Sequence, residues 1–228
     1  MPRTRRPLNK ERVLSAALTL ADAEGIEALS MRRLAKELGV EAMSLYNHVA
    51  NKDEILDGLI DLVAGEFELP DTDDWKTAMR RHLTSARDVL LRHRWATALW
   101  MRQGGGTARL RNGDWMLRTL REAGFPKDLI YHAFHILESY VQGYTLQQLN
   151  FPYKGEELKG MAATFLQELP ADEYPDLVEH IQQHLEPHEH ETGGFEMGLR
   201  LILDGLERAR DEARAVSPVP LNRTTESA

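Results

Sequence analysis

Apolar residues recur three and four positions apart along nearly the whole chain, and no run of alternating valine or threonine persists, so the ordered stretches read as helices rather than strands. The expected fold class is all-α. A first stripe of Val13, Leu14, Ala17, Leu18 and Ala21 starts after Asn9, a suitable N-cap, and ends at Gly25, a suitable C-terminal stop. Ser30 is placed to cap a short second helix. Asn51, with Glu54 three residues on, reads as a capping box opening a further helix through Ile55, Leu59, Leu62 and Val63. Beyond FELPDTDDW, Pro70 and an acidic cluster mark the change to longer helices, expected near 73–92, 95–101, 110–123, 126–150, 156–169, 175–185 and 195–214. The pattern divides the chain into residues 1–68, residues 69–214 and a polar tail, 215–228, expected to be disordered.

Within the first part, the stretch MRRLAKELGVEAMSLYNHVANKDEIL has the layout of a helix-turn-helix. Two short helices that cross steeply need a small residue where they approach and a glycine for the left-handed turn between them. Ala35 and Gly39 supply these. Leu34, Leu38, Val40, Leu45 and Val49 then form the inward face, which leaves Ala42, Met43, Ser44, Tyr46, Asn47 and His48 outward or sideways. In this geometry the second helix enters a DNA major groove about 12 Å wide with its first residues at the base edges, and phosphates are met by its flanks. The charge distribution fits. The whole chain carries −8, yet residues 1–52 hold 9 Lys/Arg against 6 Asp/Glu and the remainder 19 against 30, so positive charge gathers where a polyanion is met. The basic arm PRTRR either reaches into a minor groove or is simply solvated.

Residues 9–67 closely resemble the tetracycline-repressor (TetR) family, whose N-terminal domain carries the pattern seen here in LGV, LYNHV and NKDEIL. The segments AGFPKDLIYHAFHILESYVQGYTLQQ and GGFEMGLRLILDGLERA are similar to the C-terminal domain of the tetracycline-repressor branch. The resemblance implies a three-helix DNA-binding domain followed by a helical effector-binding and dimerisation domain. It places the DNA contacts on Arg32, on Ala42, Met43 and Ser44 at the front of the reading helix, and on Tyr46, Asn47, His48 and Lys52. Arg32 is suited to pair guanine bidentately, Ala42 and Met43 can contact only a thymine methyl or exclude bulk, and Ser44 can bond several edges. Tyr46, His48 and Lys52 read as phosphate contacts, Lys52 aided by the amides of a helix N-terminus. Ala42 and Met43 stand where the tetracycline repressor has glutamine and proline, and Asn47 replaces an aromatic residue, so its operator sequence does not transfer.

The helix expected over 126–150 is apolar on two sides, Leu129, Ala133, Ile136 and Tyr140 against Ile130, Phe134, Leu137, Val141 and Tyr144, and needs two buried surfaces. Near the C-terminus, Gly198 and Gly205 lie on one stripe with Ile202 between them, where an intrahelical glycine is costly unless another helix comes close. A homodimer is expected, with Phe134, Leu137, Val141, Gly198, Ile202 and Gly205 at the interface. In the family these two segments form a four-helix bundle with their symmetry mates. Two heads related by a twofold axis then read a palindrome. Large residues with polar handles, Trp95, Trp100, Met101, Trp115, Met116, His132, His135, Tyr140, Tyr144 and Gln147, are the candidate lining of an effector pocket for a small, largely apolar or aromatic ligand.

The remaining composition mostly excludes. With no cysteine there is no disulfide, thiol nucleophile or thiolate metal site. No apolar run approaches 18 residues and the arginine-rich start is not followed by a hydrophobic segment, so a cytoplasmic protein without membrane contact is expected. No Gly-x-Ser-x-Gly elbow, phosphate-binding loop or His-Glu-x-x-His is present. RQGGGTARLRNG reads as a flexible connector, and neither catalytic residues nor a cofactor are expected. EHIQQHLEPHEHE puts His180 and His184 one helical turn apart with His188 and His190 beyond, which keeps a metal-responsive regulator as an alternative, beside an α-helical enzyme or a scaffold. The function expected is a DNA-binding transcriptional regulator, a repressor released from its operator by a small effector.

Overall fold

A computed structural model describes residues 7–100, 106–151, 153, 155–185 and 193–216 of the chain. The described residues are helical throughout, with no strand among them. The head consists of α1 (Lys10–Glu24), α2 (Met31–Leu38), α3 (Ala42–Leu45) and α4 (Lys52–Gly65). The larger part consists of α5 (Trp75–Arg92), α6 (Ala96–Leu99), α7 (Thr107–Glu122), α8 (Lys127–Asn150), α9 (Gly155–Glu168), α10 (Pro175–Gln182) and α11 (Gly194–Val216).

The expected caps form. Asn9 Oδ1 accepts the Arg12 amide at 2.9 Å, Ser30 Oγ the Arg33 amide at 3.2 Å and Asn51 Oδ1 the Glu54 amide at 2.9 Å. The capping box reaches one residue further back than the motif requires, since Glu54 Oε2 accepts the Ala50 amide at 2.6 Å. Leucines and valines of the head, from Val13 through Leu34, Leu45 and Val49 to Leu59 and Val63, are buried in a core that continues without a break into Met79, Leu83, Met116, Leu137 and Leu203. Helix α4 makes the join by packing on α1 on one side and on α7 on the other.

Four local expectations change. Helix α3 ends at Leu45 rather than running to His48, and a turn closed by His48 N–H to Leu45 O (2.9 Å) carries Tyr46 to His48. The backbone has to leave helical geometry here because Asn51, five residues ahead of Leu56, already stands fully extended as the next N-cap. The supposed connector is helical from Thr107. Its N-cap residue, Gly106, has no side chain to offer, and α4 supplies one instead: Asp61 Oδ1 accepts the Ala108 amide at 2.8 Å and the Arg109 amide at 3.1 Å. A Cβ on Gly106 would lie 2.1 Å from that carboxylate, so glycine permits the close approach. The helix expected over 95–101 shrinks to Ala96–Leu99. At the C-terminus α11 extends to Val216, two residues into the segment expected to be a tail; residues 217–228 and the arm 2–6 lie outside the described residues.

Candidate DNA-reading head and effector cavity

The turn between α2 and α3 is held by two bonds. Val40 N–H donates to Ala35 O at 3.0 Å and Gly39 N–H to Lys36 O at 3.2 Å, with Gly39 left-handed at φ 66°. This Schellman arrangement pairs two of the last carbonyls of α2 and turns the chain toward α3. Leu45 and Val49 anchor α3 from beneath. Met43 stands out at 75 % exposure, Arg32, Tyr46, Asn47 and Lys52 are exposed, and Ala42, Ser44 and His48 are half-buried. The side chains expected to contact DNA are therefore all at least partly accessible.

Arg33 has a definite task. Its guanidinium bonds Glu24 of α1 at 2.5 Å and Glu37 of α2 at 2.9 Å, and the ion pair holds the Glu24 carboxyl below the usual carboxylate range. This fixes α2 on α1 rather than contacting solvent alone. Lys10 of α1 reaches Glu54 at 2.5 Å; with the Ala50 amide as the larger cause, it lowers the Glu54 pKa and ties α1 to the start of α4.

A second joint links the head to the α5–α6 corner. His93 is buried with Nδ1 2.8 Å from Asp22 Oδ1 and Nε2 3.2 Å from Glu66 Oε1, and the Trp95 indole N–H donates to the same Asp22 oxygen at 2.8 Å. Arg92 also pairs with Glu66. Trp95, expected to line the pocket, thus points at α1.

The cavity lies between the end of α4 and helices α5 to α8. It has a volume of about 400 Å³ and is lined by Phe67, His82, Trp100, Arg109, Leu110, Asn112, Gly113, Asp114, Leu117, Phe134 and Glu138. Phe67 and Trp100 stack at 5.3 Å between centroids and 22° between planes, and the Arg109 guanidinium lies 5.5 Å over Trp100 while donating to its carbonyl at 3.0 Å. His82 Nδ1 lies 2.7 Å from the Glu68 carbonyl, which can only accept, so Nδ1 carries the proton. Burial lowers the His82 pKa and keeps the ring neutral, leaving Nε2 an acceptor. Burial raises the Glu138 pKa, against the opposing pull of hydrogen bonds from Gln142 and Trp100. Asn112 donates from Nδ2 to Ala64 O at 2.7 Å, and its Oδ1 has no partner. Of two larger surface hollows, about 520 and 600 Å³, the first is walled largely by charged side chains and the second by a mixture of charged, aromatic and small ones, and neither contains a buried polar atom lacking a partner among the described residues.

Of the expected pocket residues, Trp100 lines this cavity. Trp115 sits behind it, its ring 4.7 Å from His82, and Met116 is fully buried core. Tyr140 and Tyr144 pack on Phe195 at 5.3 Å, His132 and His135 are exposed beside Tyr131, Gln147 is exposed, and Met101 lies outside the described residues. Sequence reasoning missed Phe67, His82, Asn112 and Glu138. A signal existed for two of them: His82 interrupts the stripe Trp75, Ala78, Met79, Leu83, and Asn112 that of Trp115, Met116 and Leu120. A polar residue at a core register needs a partner or a ligand.

Within the single chain, the residues expected at a dimer face take different positions. Leu137 and Val141 are buried in the chain's own core, and Phe134 turns toward the cavity. Gly198 admits an intrachain neighbour, because a Cβ there would lie 2.3 Å from the Tyr140 hydroxyl, which donates to Phe195 O at 2.8 Å. Ile202 is half-buried against the same core, whereas Gly205 faces open space apart from Arg208. The apolar side chains left exposed on these two helices are Tyr131, Ile136 and Leu146 of α8 and Met197 and Leu201 of α11.

His180 and His184 do meet on one face, 5.3 Å between rings, but no group of three metal-binding side chains occurs among the described residues. His188 and His190 lie outside them. No helix among the described residues is long and apolar enough to cross a membrane.

A helix-turn-helix head whose last helix runs to the edge of an aromatic cavity, with Phe67 just beyond it in the wall, is the arrangement of a ligand-responsive DNA-binding regulator. Comparison with known proteins agrees. The model for bacterial regulatory proteins of the tetR family matches residues 13–59, and that for the tetracyclin repressor-like C-terminal domain matches residues 68–210. An HTH-type transcriptional regulator of Saccharopolyspora erythraea is 37 % identical over 144 residues, 62 % of this chain and 61 % of that protein. The HTH-type transcriptional repressor DrrR1 of Streptomyces coeruleorubidus is 32 % identical over 213 residues, 88 % of this chain and 77 % of that one. The crystal structure of the TetR family protein ActR of Streptomyces coelicolor in complex with actinorhodin matches with a TM-score of 0.76 at 31 % identity, covering 90 % of this chain and 99 % of ActR. The chain belongs to the TetR family of transcriptional regulators, whose members are not enzymes.

Proposed function

We propose that this protein is a homodimeric repressor that binds a two-fold symmetric operator and leaves it when an aromatic small molecule enters the cavity. The observation that carries this reading is the placement of α4. One end of it presents Lys52 beside α3, and the chain leaving the other end supplies Phe67 to the cavity wall. A ligand that prefers one setting of α4 necessarily changes DNA affinity, by linkage.

At the operator, Arg32 pairs a guanine edge, Ala42 and Met43 touch thymine methyls, Ser44 bonds a neighbouring edge, Tyr46, His48 and Lys52 hold the backbone, and Asn47 is a further contact. Two copies associate through the exposed apolar stripes of α8 and α11, which sets the heads about one helical turn of DNA apart. Aromatic ligands suit the Phe67–Trp100 wall, and ActR, with 31 % of the same residues, is known in complex with actinorhodin.

The test is a gel-shift titration with the intergenic DNA flanking the protein's own gene, repeated with actinorhodin, alongside light scattering for mass. A dimer that shifts the fragment and releases it on addition of the compound is the expected result. A monomer, or DNA binding indifferent to every aromatic compound tried, overturns the reading.

A further inference from the structure

Asn112 is 6 % exposed and sits on the inner face of α7, where it touches two things at once. Its Nδ2 donates to the carbonyl of Ala64 in the last turn of α4, and its Oδ1, although the residue lines the cavity, has no protein partner. The end assignment follows from chemistry: only the nitrogen can donate to a carbonyl oxygen. Among the described residues lining the cavity, it is the one with a buried polar side-chain atom left unsatisfied. Such an atom carries a desolvation penalty that a partner removes.

We infer that Asn112 is both the specificity residue and the positioning residue of this cavity: its oxygen accepts a hydrogen bond from a hydroxyl-bearing aromatic effector, and its amide nitrogen holds the end of α4. The inference rests on the effector reading above and narrows it to phenol-like ligands. The other polar atoms point the same way. Neutral His82 keeps its proton on Nδ1 for the Glu68 carbonyl, so it too offers the cavity an acceptor. A ring bearing hydroxyl donors satisfies these acceptors and stacks on Phe67 and Trp100; a ring bearing only ethers satisfies none of them. The coupling follows from polarisation. A hydrogen bond accepted at Oδ1 strengthens the N–H groups of the same amide as donors, so a filled cavity grips α4 more firmly.

The probes are 2,6-dihydroxyanthraquinone and 2,6-dimethoxyanthraquinone, which share a ring system and differ in donor capacity. Binding is read calorimetrically on the full chain, wild type, Asn112→Leu and Asn112→Asp, with amide exchange of residues 60–67 followed in parallel. Wild type is expected to favour the diol, and Asn112→Leu to cut that preference by about tenfold, as the loss of one satisfied buried hydrogen bond implies, leaving the share that His82 contributes. The diol slows exchange over 60–67 in wild type and not in Asn112→Leu. Asn112→Asp, which keeps an acceptor but loses the donor to Ala64, retains the diol preference while exchanging faster over 60–67 without ligand.

A diol preference undiminished in Asn112→Leu, or exchange over 60–67 unchanged by both substitutions, overturns the inference. Equal binding of both compounds overturns it too, and if they still release DNA the regulator reading survives. Binding of neither compound to wild type overturns the assigned ligand class. The expected preference without any release of DNA supports Asn112 and refutes the regulator reading instead.

Discussion

Asp61 is a helix cap that belongs to a different helix, and this gives a sharp prediction. In Asp61→Ala, the amides of Ala108 and Arg109, now bonded at 2.8 and 3.1 Å, lose their acceptor in a partly buried joint. Removing an N-cap side chain costs about 0.5–2 kcal/mol, and removing a negative charge from a helix N-terminus costs about 0.3–1 kcal/mol more. Alanine offsets part of this, being preferred to aspartate within α4 by at most about 0.7 kcal/mol. The cap term wins, and a net loss of about 1 kcal/mol is expected, which lowers Tm by about 2–4 °C for a chain of this size. Asp61→Asn keeps an acceptor and should lose about half as much. Urea and thermal unfolding at one fixed protein concentration measure both variants, the concentration being held because a dimer's stability depends on it. Amide exchange at 108 and 109 should rise in Asp61→Ala with little change in α5. An Asp61→Ala protein as stable as wild type, or an asparagine variant as damaged as the alanine one, would refute the cap.

Tyr46→Ala and Lys52→Ala should each weaken operator binding while leaving dimer mass unchanged, and Lys52→Ala should shallow the slope of log affinity against log salt by about one; unchanged affinity in both would sink the assignment of the head. Ile136→Arg and Leu201→Arg should yield folded monomers by light scattering, because both side chains are exposed in the chain alone, whereas Leu137→Arg, in the core, should fail to fold. Wild-type stability should fall as pH drops below the ordinary histidine value of 6.5 toward the lowered value of folded His82, since the unfolded chain then binds the proton that the buried ring refuses. His82→Gln, which can still donate to the Glu68 carbonyl, should flatten that part of a Tm-against-pH curve. Glu138 acts in the opposite sense: its raised pKa stabilises the fold below about pH 4.5 and that contribution is lost as pH rises through the raised value.

The parts of the fold legible in the sequence were those fixed by neighbours in the chain. Asn9, Ser30 and Asn51 bond amides three residues on, and Gly39 closes a turn whose partners lie within five residues, so local pattern was enough to place them. The beginning of α7 was not legible because its cap comes from Asp61, 47 residues earlier. The cavity was harder still. Trp95, Trp115 and Tyr140 have the size and polarity of pocket residues, yet each spends its polar or aromatic capacity on a protein partner: Asp22, His82 and Phe195. Residue type cannot tell those from Trp100, which faces the cavity, and only the three-dimensional neighbours decide. Gly198 shows the same limit, since a close approach is visible in the sequence but not whose side chain makes it, and within the chain it is that of Tyr140.

Under the proposed function, the reach of α4 makes a small event in the cavity sufficient. Its 14 residues span about 21 Å at 1.5 Å per residue. It is held near the cavity by Asn112 at Ala64 and by Asp61 at α7, and at the far end by the Glu54 box and Lys10. With the cavity end as pivot, a tilt of about 5° displaces the Lys52 end by about 2 Å over that length. Hydrogen bonds to phosphate oxygens are lost over about half that distance. In a symmetric dimer both heads move, so their separation changes by up to about 4 Å against a half-site spacing of about 34–36 Å. Neither head has to unfold, and the α2–α3 turn, locked by Gly39 and the Arg33 ion pairs, travels as a unit. The rigidity of that turn is therefore part of the switch: a head that could bend at Gly39 would follow the DNA and absorb the tilt. Loosening it should weaken induction as well as binding, which distinguishes a lever from a simple loss of fit.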